Sequence, residues 1–362
     1  MTAVNVASHA AKRQLAPRRG YFPAAVIIVL LAALFFAALI SASIGAAKIS
    51  VAHLAAALFQ MDGDSASSAR DQLILLSIRL PRLAIAAIVG ALLASAGTIM
   101  QGLFRNPLAD PGLVGVSAGA GLAVAATIVV GDKALPASMM SLPYLLPVTA
   151  FLGALTTTAL LYRIATWQGR TSIATMLLAG LALAALAGAG TGLLVFLADD
   201  RQLRDVTFWM LGSLAGATWP KVSVIAPFLV LLLLSFAFVS RGLDLLLLGE
   251  SEAFHMGVTV ERLKRILIVL VAGAAGAAVS VSGVIGFVGI VVPHLLRLVI
   301  GPSHRLLLPA SACGGAILLL TADTFARTVA APAEVPIGIV TAIIGAPFFL
   351  LLLLKQRSLL AS

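Results

Sequence analysis

Ten apolar runs occupy most of this chain, at residues 23–43, 84–103, 113–130, 143–162, 173–197, 221–240, 266–283, 285–300, 306–325 and 337–354. At ~1.5 Å per residue, most are long enough to cross a hydrocarbon core of ~30 Å. Water is absent there, so backbone groups must bond within their own segment, and the helix is the form open to such runs. The composition agrees, with 61% hydrophobic and 10% charged residues among 362 and a mean hydropathy of +1.10. The expected fold class is all-α, a polytopic membrane protein with ten transmembrane helices. A tail at 1–22, one transmembrane domain at 23–355 and a second tail at 356–362 account for the whole chain, leaving no room for a soluble catalytic domain.

Two runs are weaker. The stretch 113–130 is short and glycine-rich, and 285–300 is interrupted by Pro293. Charge argues for keeping both. With the N-terminus in the cytoplasm, Lys12, Arg13, Arg18, Arg19, Arg105, the Arg163–Arg170 loop, the Arg241–Arg265 loop, Arg305 and Lys355–Arg357 fall on one side. The acidic stretches at 62–71 and 199–205 fall on the other, and dropping one span would reverse the later loops. The net charge of +10 is thereby explained by topology rather than by nucleic acid. The first run follows basic residues as a signal peptide would, but its length and the spans after it make it a retained span. Cys313 is the single cysteine, so no intrachain disulfide forms.

The polar interruptions carry the functional information. In QGLFRNPLADPGLVG (101–115), Asn106-Pro107 and Asp110-Pro111 end one helix and restart another before Gly115, and Asn and Asp side chains can satisfy the freed backbone groups. Gln101 suits a helix-end hydrogen bond or a pathway lining; Ile99, Met100, Phe104 and the residues around Val114 are further pathway candidates. In GVIGFVGIVVPHLLR (283–297), Pro293 leaves one backbone carbonyl without its helical partner, and His294 beside it is a structural residue or a ligand. Arg79, Arg82 and Arg327 lie at the outer ends of spans, where positive charge is disfavoured; as exposed guanidinium groups they suit an acidic docking partner or lipid headgroups. Asp323 is placed to pair with Arg327 four residues on, with Glu334 as another partner. Finally, LGESEAFHMG (248–257) sits in the largest inner loop. After Leu248, Gly249 and Gly257 bracket seven residues, long enough for a two-turn helix, with Glu250 at its positive end, Ala253 small, and Phe254 and Met256 for apolar contact. It reads as a partner-docking helix or a solvated connector. No phosphate-binding loop or metal motif occurs, so no catalytic or metal-ligating residue is assigned.

Taken in order, RLPR, QGLFRNPLADPGLVG, FWMLGSL (208–214), LGESEAFHMG, GVIGFVGIVVPHLLR, GPSHRLLLP, ADTFAR and EVPIGIVTAIIGAPFFLLLL resemble the permeases of ABC importers for iron–siderophore, haem and vitamin B12, over about residues 78–354. The resemblance implies the vitamin B12 importer type of fold, a homodimer, two cytoplasmic ATPase subunits that bind the ATP, a periplasmic substrate-binding protein, and a bacterial inner-membrane location with both termini cytoplasmic. It implies that LGESEAFHMG is the coupling helix, that Arg79, Arg82 and Arg327 meet the binding protein, and that the chain is not itself an enzyme and keeps no stable cofactor. The wording FRNPLADPGLVG with LADDRQLRDVTFWMLGSL is most similar to the haem permeases, although the vitamin B12 permeases share the Pro-Gly-Leu variant. Two readings of other classes stand beside it: an ion-coupled secondary transporter with broken helices around 106–111 and 293, and a membrane assembly protein whose small-residue faces serve packing alone.

Overall fold

The computed structural model describes residues 22–44, 72–140 and 142–360. The basic N-terminal tail, the acidic stretch at 62–71 and the last two residues lie outside the described residues.

Each apolar run is helical. Among the described residues eight helices are long and apolar enough to cross a membrane, and the two weaker runs form shorter ones. In chain order they are α1 (Phe22–Ser43), α2 (Leu80–Phe104, entered through a π-helical turn at Leu75–Arg79), α3 (Val116–Ala126), α4 (Leu145–Ala165), α5 (Ile173–Leu197), α6 (Asp200–Leu211), α7 (Trp219–Leu246), α8 (Glu250–His255), α9 (Val260–Ser282), α10 (Val288–Ile300), α11 (His304–Val329) and α12 (Ile337–Leu360). Eight of the ten expected spans are thus long helices, while the two weaker ones are short: α3 with the π-helical turn that follows it covers Val116–Gly131, and α10, with Pro293 inside it, covers Val288–Ile300.

The helix α2 is the central post. Its apolar window is 83% buried, against 11% for α5, and α11, α9, α7 and α10 pack around it. Small residues make this possible. A Cβ on Gly97 would strike the backbone of Gly289 in α10, and one on Gly90 would strike Gly315 in α11. Where the hydrophobic effect cannot drive association, such backbone-to-backbone approach supplies dispersion contact instead.

Among the elements that were not expected, a helix and a hairpin stand out. The acidic stretch at 199–205, read as a loop, opens the amphipathic helix α6. The Asp199 carboxylate accepts from Arg201 N (2.9 Å) and Gln202 N (2.8 Å), while Gln202 Oε1 accepts from Asp199 N (3.1 Å). The D-x-x-Q spacing of a capping box was present in the sequence. Between α4 and α5, Thr166–Trp167 (β1) pairs antiparallel with Arg170–Thr171 (β2) across a Gln168-Gly169 turn whose residues both have positive φ. That is the geometry of a two-residue hairpin.

The polar residues sort to two ends. His304, at the start of α11, meets Asp244 in the last turn of α7; Arg327, at the end of α11, meets the end of α1. The docking-helix candidate thus lies at one end of the molecule and the arginines at the other, as the charge pattern requires.

Candidate functional site

The docking-helix candidate is held by its ends. Gly249, at φ 130° and ψ 155°, turns the chain out of α7 in a conformation that side chains rarely adopt, and a Cβ there would meet the Glu252 carboxylate. The helix α8 follows over six residues, Glu250–His255, shorter than the two turns expected. Ala253 is fully buried, and its carbonyl accepts from Val258 N at 3.0 Å. The Glu250 carboxylate is turned inward onto Lys264 Nζ at 2.8 Å. Leu248, Phe254 and Met256 face outward, and Phe254 is 67% exposed. Gly257 is exposed and ends the element. Of the residues offered for contact, Ala253 and Glu250 fix the helix to the body and Phe254 is presented by it.

Two charged contacts missed in the sequence brace this end. Lys264 is buried among Glu250, Glu261 and the Thr171 carbonyl. Asp244 Oδ1 lies 2.7 Å from both His304 N and His304 Nδ1, with Ser303 Oγ 3.3 Å from Oδ2. Asp244 and His304 lie on separate helices, as do Lys264 and Glu250, so only the Glu261–Lys264 pair had a local spacing to announce it.

At the opposite end the arginines are not the exposed groups expected. Arg79 is 5% exposed, and its guanidinium donates to the carbonyls of Ala42 and Ser43. Arg82 clasps Asp323 through Nε and Nη2 (2.9–3.0 Å) and Glu334 through Nη1 and Nη2 (2.8 and 3.0 Å). Arg327 donates to Ile44 O (2.8 Å) and Ser41 O (2.6 Å), and its Nε lies 3.2 Å from Asp323, the i,i+4 pair read from the sequence. Asp323 is buried between two guanidinium groups, whereas Glu334 lies at the surface. The physical reason is desolvation: buried charges persist only when paired, and these side chains find partners in α1 and α11.

The breaks at 101–115 and 283–297 meet each other. The α2 helix ends at Arg105, whose N–H reaches back to the last turn; Asn106 Oδ1 then accepts from Leu108 N (2.9 Å), and Pro107 follows in the turn. Asp110 Oδ1 accepts from Gly112 N (2.7 Å), capping a single 3-10 turn that starts at Pro111 and ends at Gly115. Gln101, 2% exposed, donates its Nε2 to Gly289 O at 3.1 Å. Pro111, Asp110 and Gly289 share a small chamber of about 20 Å³. Ile99, Met100, Phe104 and Val114 are packed in the core rather than along an open path. His294 stands apart, its ring edge-on to Phe348 at 5.8 Å and its Nδ1 without a hydrogen-bond partner among the described residues. A cavity of about 860 Å³, lined by Arg201, Asp205, Trp209, Lys221 and Ser282 among others, touches none of the residues expected to line a pathway. Among the described residues no group of three or more His, Cys, Asp or Glu could hold a metal ion.

Comparison with known proteins adds the family. The hemin transport system permease protein HmuU of Yersinia pestis is 46% identical over 286 residues, covering 78% of this chain and 83% of that protein. The cobalamin import system permease protein BtuC of Halobacterium salinarum is 45% identical over 289 residues, covering 78% and 73%. A solved structure described as an inward-facing metal-chelate type ABC transporter superposes with a TM-score of 0.78 at 33% identity, covering 92% of this chain and 99% of that one. The profile of the FecCD transport family matches residues 28–355. With its helical architecture, its braced α8 and this match along nearly its whole length, the chain belongs to the FecCD transport family, the non-catalytic membrane permeases of ABC importers.

Proposed function

We propose that this chain moves haem inward across a bacterial inner membrane, as one of two copies that sit on two cytoplasmic ATPase subunits and receive the ligand from a periplasmic binding protein. The observation that carries the ATP-driven reading is α8: a short helix fixed by Ala253 and Glu250 that presents Phe254 to a partner. Its end of the molecule is then the cytoplasmic one, with both termini, and α3 and α10 complete ten crossings. Self-association is supported by α5, the helix least buried within the chain, where a Cβ on Gly188 or Gly192 would meet nothing within 4 Å. Small residues left unpacked in this way suit the close approach of a second copy.

Haem rests on the wording FRNPLADPGLVG and on the hemin permease relative. Vitamin B12 and iron–siderophore ligands are the alternatives, since relatives of those kinds share the family. The binding protein would meet Arg79, Arg82 and Arg327, with an incoming carboxylate displacing the exposed Glu334 from Arg82. Ion-coupled transport would want an acidic residue free to take up a cation inside the bundle. Asp323 is engaged by two arginines instead, and Asp110, in the break itself, serves as the cap that accepts from Gly112 N.

The test is reconstitution in liposomes with the neighbouring ATPase and binding protein. The expected result is ATP hydrolysis stimulated by the binding protein, and a Soret band in the binding protein as purified. Uptake without any ATPase would overturn the importer reading; a cobalamin spectrum would overturn haem alone.

A further inference from the structure

The helix α8 has only six residues, too few to hold a helix in water or to keep a fixed orientation alone. Besides the buried Ala253, one cation ties it to the body. Lys264 lies in the second turn of α9 with 3% of its side chain exposed, and its Nζ makes three contacts: Glu250 Oε2 in α8 at 2.8 Å, Glu261 Oε1 in α9 at 3.1 Å, and the Thr171 carbonyl in β2 at 3.0 Å. Three donors meet three acceptors, so the ammonium is saturated. Glu261 closes the loop, because its Oε2 accepts from Thr171 N at 2.9 Å. Both polar groups of the Thr171 backbone are thus bonded to the start of α9. The hairpin that joins α4 to α5 is tied by side-chain bonds to the helix that follows α8.

We infer that Lys264 is the positioning residue that makes α8 and the β1–β2 hairpin move as one piece, carrying force applied at Phe254 into α4 and α5. This inference rests on the importer reading. A neutral residue at 264 would fill the same space, but Glu250 and Thr171 would lose their shared partner and α8 could tilt on Gly249 without pulling the hairpin. The arrangement has a direction as well. The helix α9 is closely packed, 67% buried in its apolar window, while α5 is only 11% buried within the chain, so a pull on the hairpin would pass through α5 to the second copy proposed to pack against it.

The experiment uses the complete importer in liposomes and reads the ratio of ATP hydrolysis with and without its binding protein, which needs no knowledge of the ligand. Lys264→Met keeps the apolar stem and removes the charge. The expected result is a complex that still assembles and hydrolyses ATP, with the stimulation ratio reduced about fivefold or more. Lys264→Arg, which keeps the charge and the donors, restores at least half of it. Glu261→Gln, which removes one ion pair and keeps an oxygen for Thr171 N, gives a smaller loss in the same direction. A wild-type ratio in Lys264→Met overturns the inference. Should that variant fail to assemble, a wild-type ratio in Glu261→Gln does so instead. Failure of the importer reading looks different: the wild-type complex itself would show no stimulation.

Discussion

The side-chain amide of Gln101 occupies the carbonyl that Pro293 leaves open. Proline has no N–H to give, so the oxygen four residues earlier, on Gly289, lacks its helical donor. Gln101 Nε2 takes that position at 3.1 Å, from a helix 188 residues away in sequence. One break in α10 is thereby satisfied from α2, at the level where Gly97 and Gly289 touch.

Gln101→Leu leaves that carbonyl unpaired in an apolar interior and should cost about 1–3 kcal/mol. Pro293→Ala supplies the missing N–H, so the same Gln101→Leu change should cost markedly less in that background. Thermal unfolding of the four proteins of the cycle in detergent measures the coupling, and strictly additive losses would show the bond to be immaterial.

Asp323→Asn should destabilise the chain by about 3–5 kcal/mol, because two buried guanidinium groups lose their common counter-charge. Glu334→Gln should change stability by about 1 kcal/mol or less, since its partner bond lies at the surface. If Arg82 docks the binding protein, Glu334→Gln should also raise affinity for it. Equal stability losses in the two variants would contradict the burial difference, and titration of the binding protein reads the affinity.

Phe254→Asp should leave folding intact and abolish co-purification of the ATPase, because the side chain faces outward. Ala253→Leu acts differently. Overpacking a fully buried site should cost about 1–3 kcal/mol and loosen α8 from its seat. Normal ATPase retention by Phe254→Asp would move the contact elsewhere.

Gly97→Ala places a methyl group against the Gly289 backbone and should force α2 and α10 apart, lowering the melting temperature. Gly188→Leu meets no neighbour within the chain and should leave the subunit's stability unchanged. Light scattering should show it weakening the proposed self-association. An unaffected dimer would remove α5 from the interface.

The sequence was most legible where the physics is local. Asn106, Asp110 and Gly249 act on backbone groups within a few residues, so their turns and caps follow from residue type and spacing. The i,i+4 pairing of Asp323 with Arg327 was readable for the same reason. The helix α6 was missed although its capping box was present, because its mixed polarity imitates a loop. Lys264 was missed because nothing near it in sequence requires a buried cation; two of its three acceptors, Glu250 and Thr171, lie on other elements.

The apolar runs by themselves determined that this chain is a bundle of membrane helices, since a backbone in hydrocarbon must satisfy itself segment by segment. The order of the motifs determined its family. Only the tertiary structure decided what the polar residues do, because a buried charge takes whatever partner packing brings within reach. Arg82 found Asp323, 241 residues away, and ceased to be an exposed group. Gln101 found the oxygen that Pro293 had freed, and Lys264 found the helix that presents Phe254.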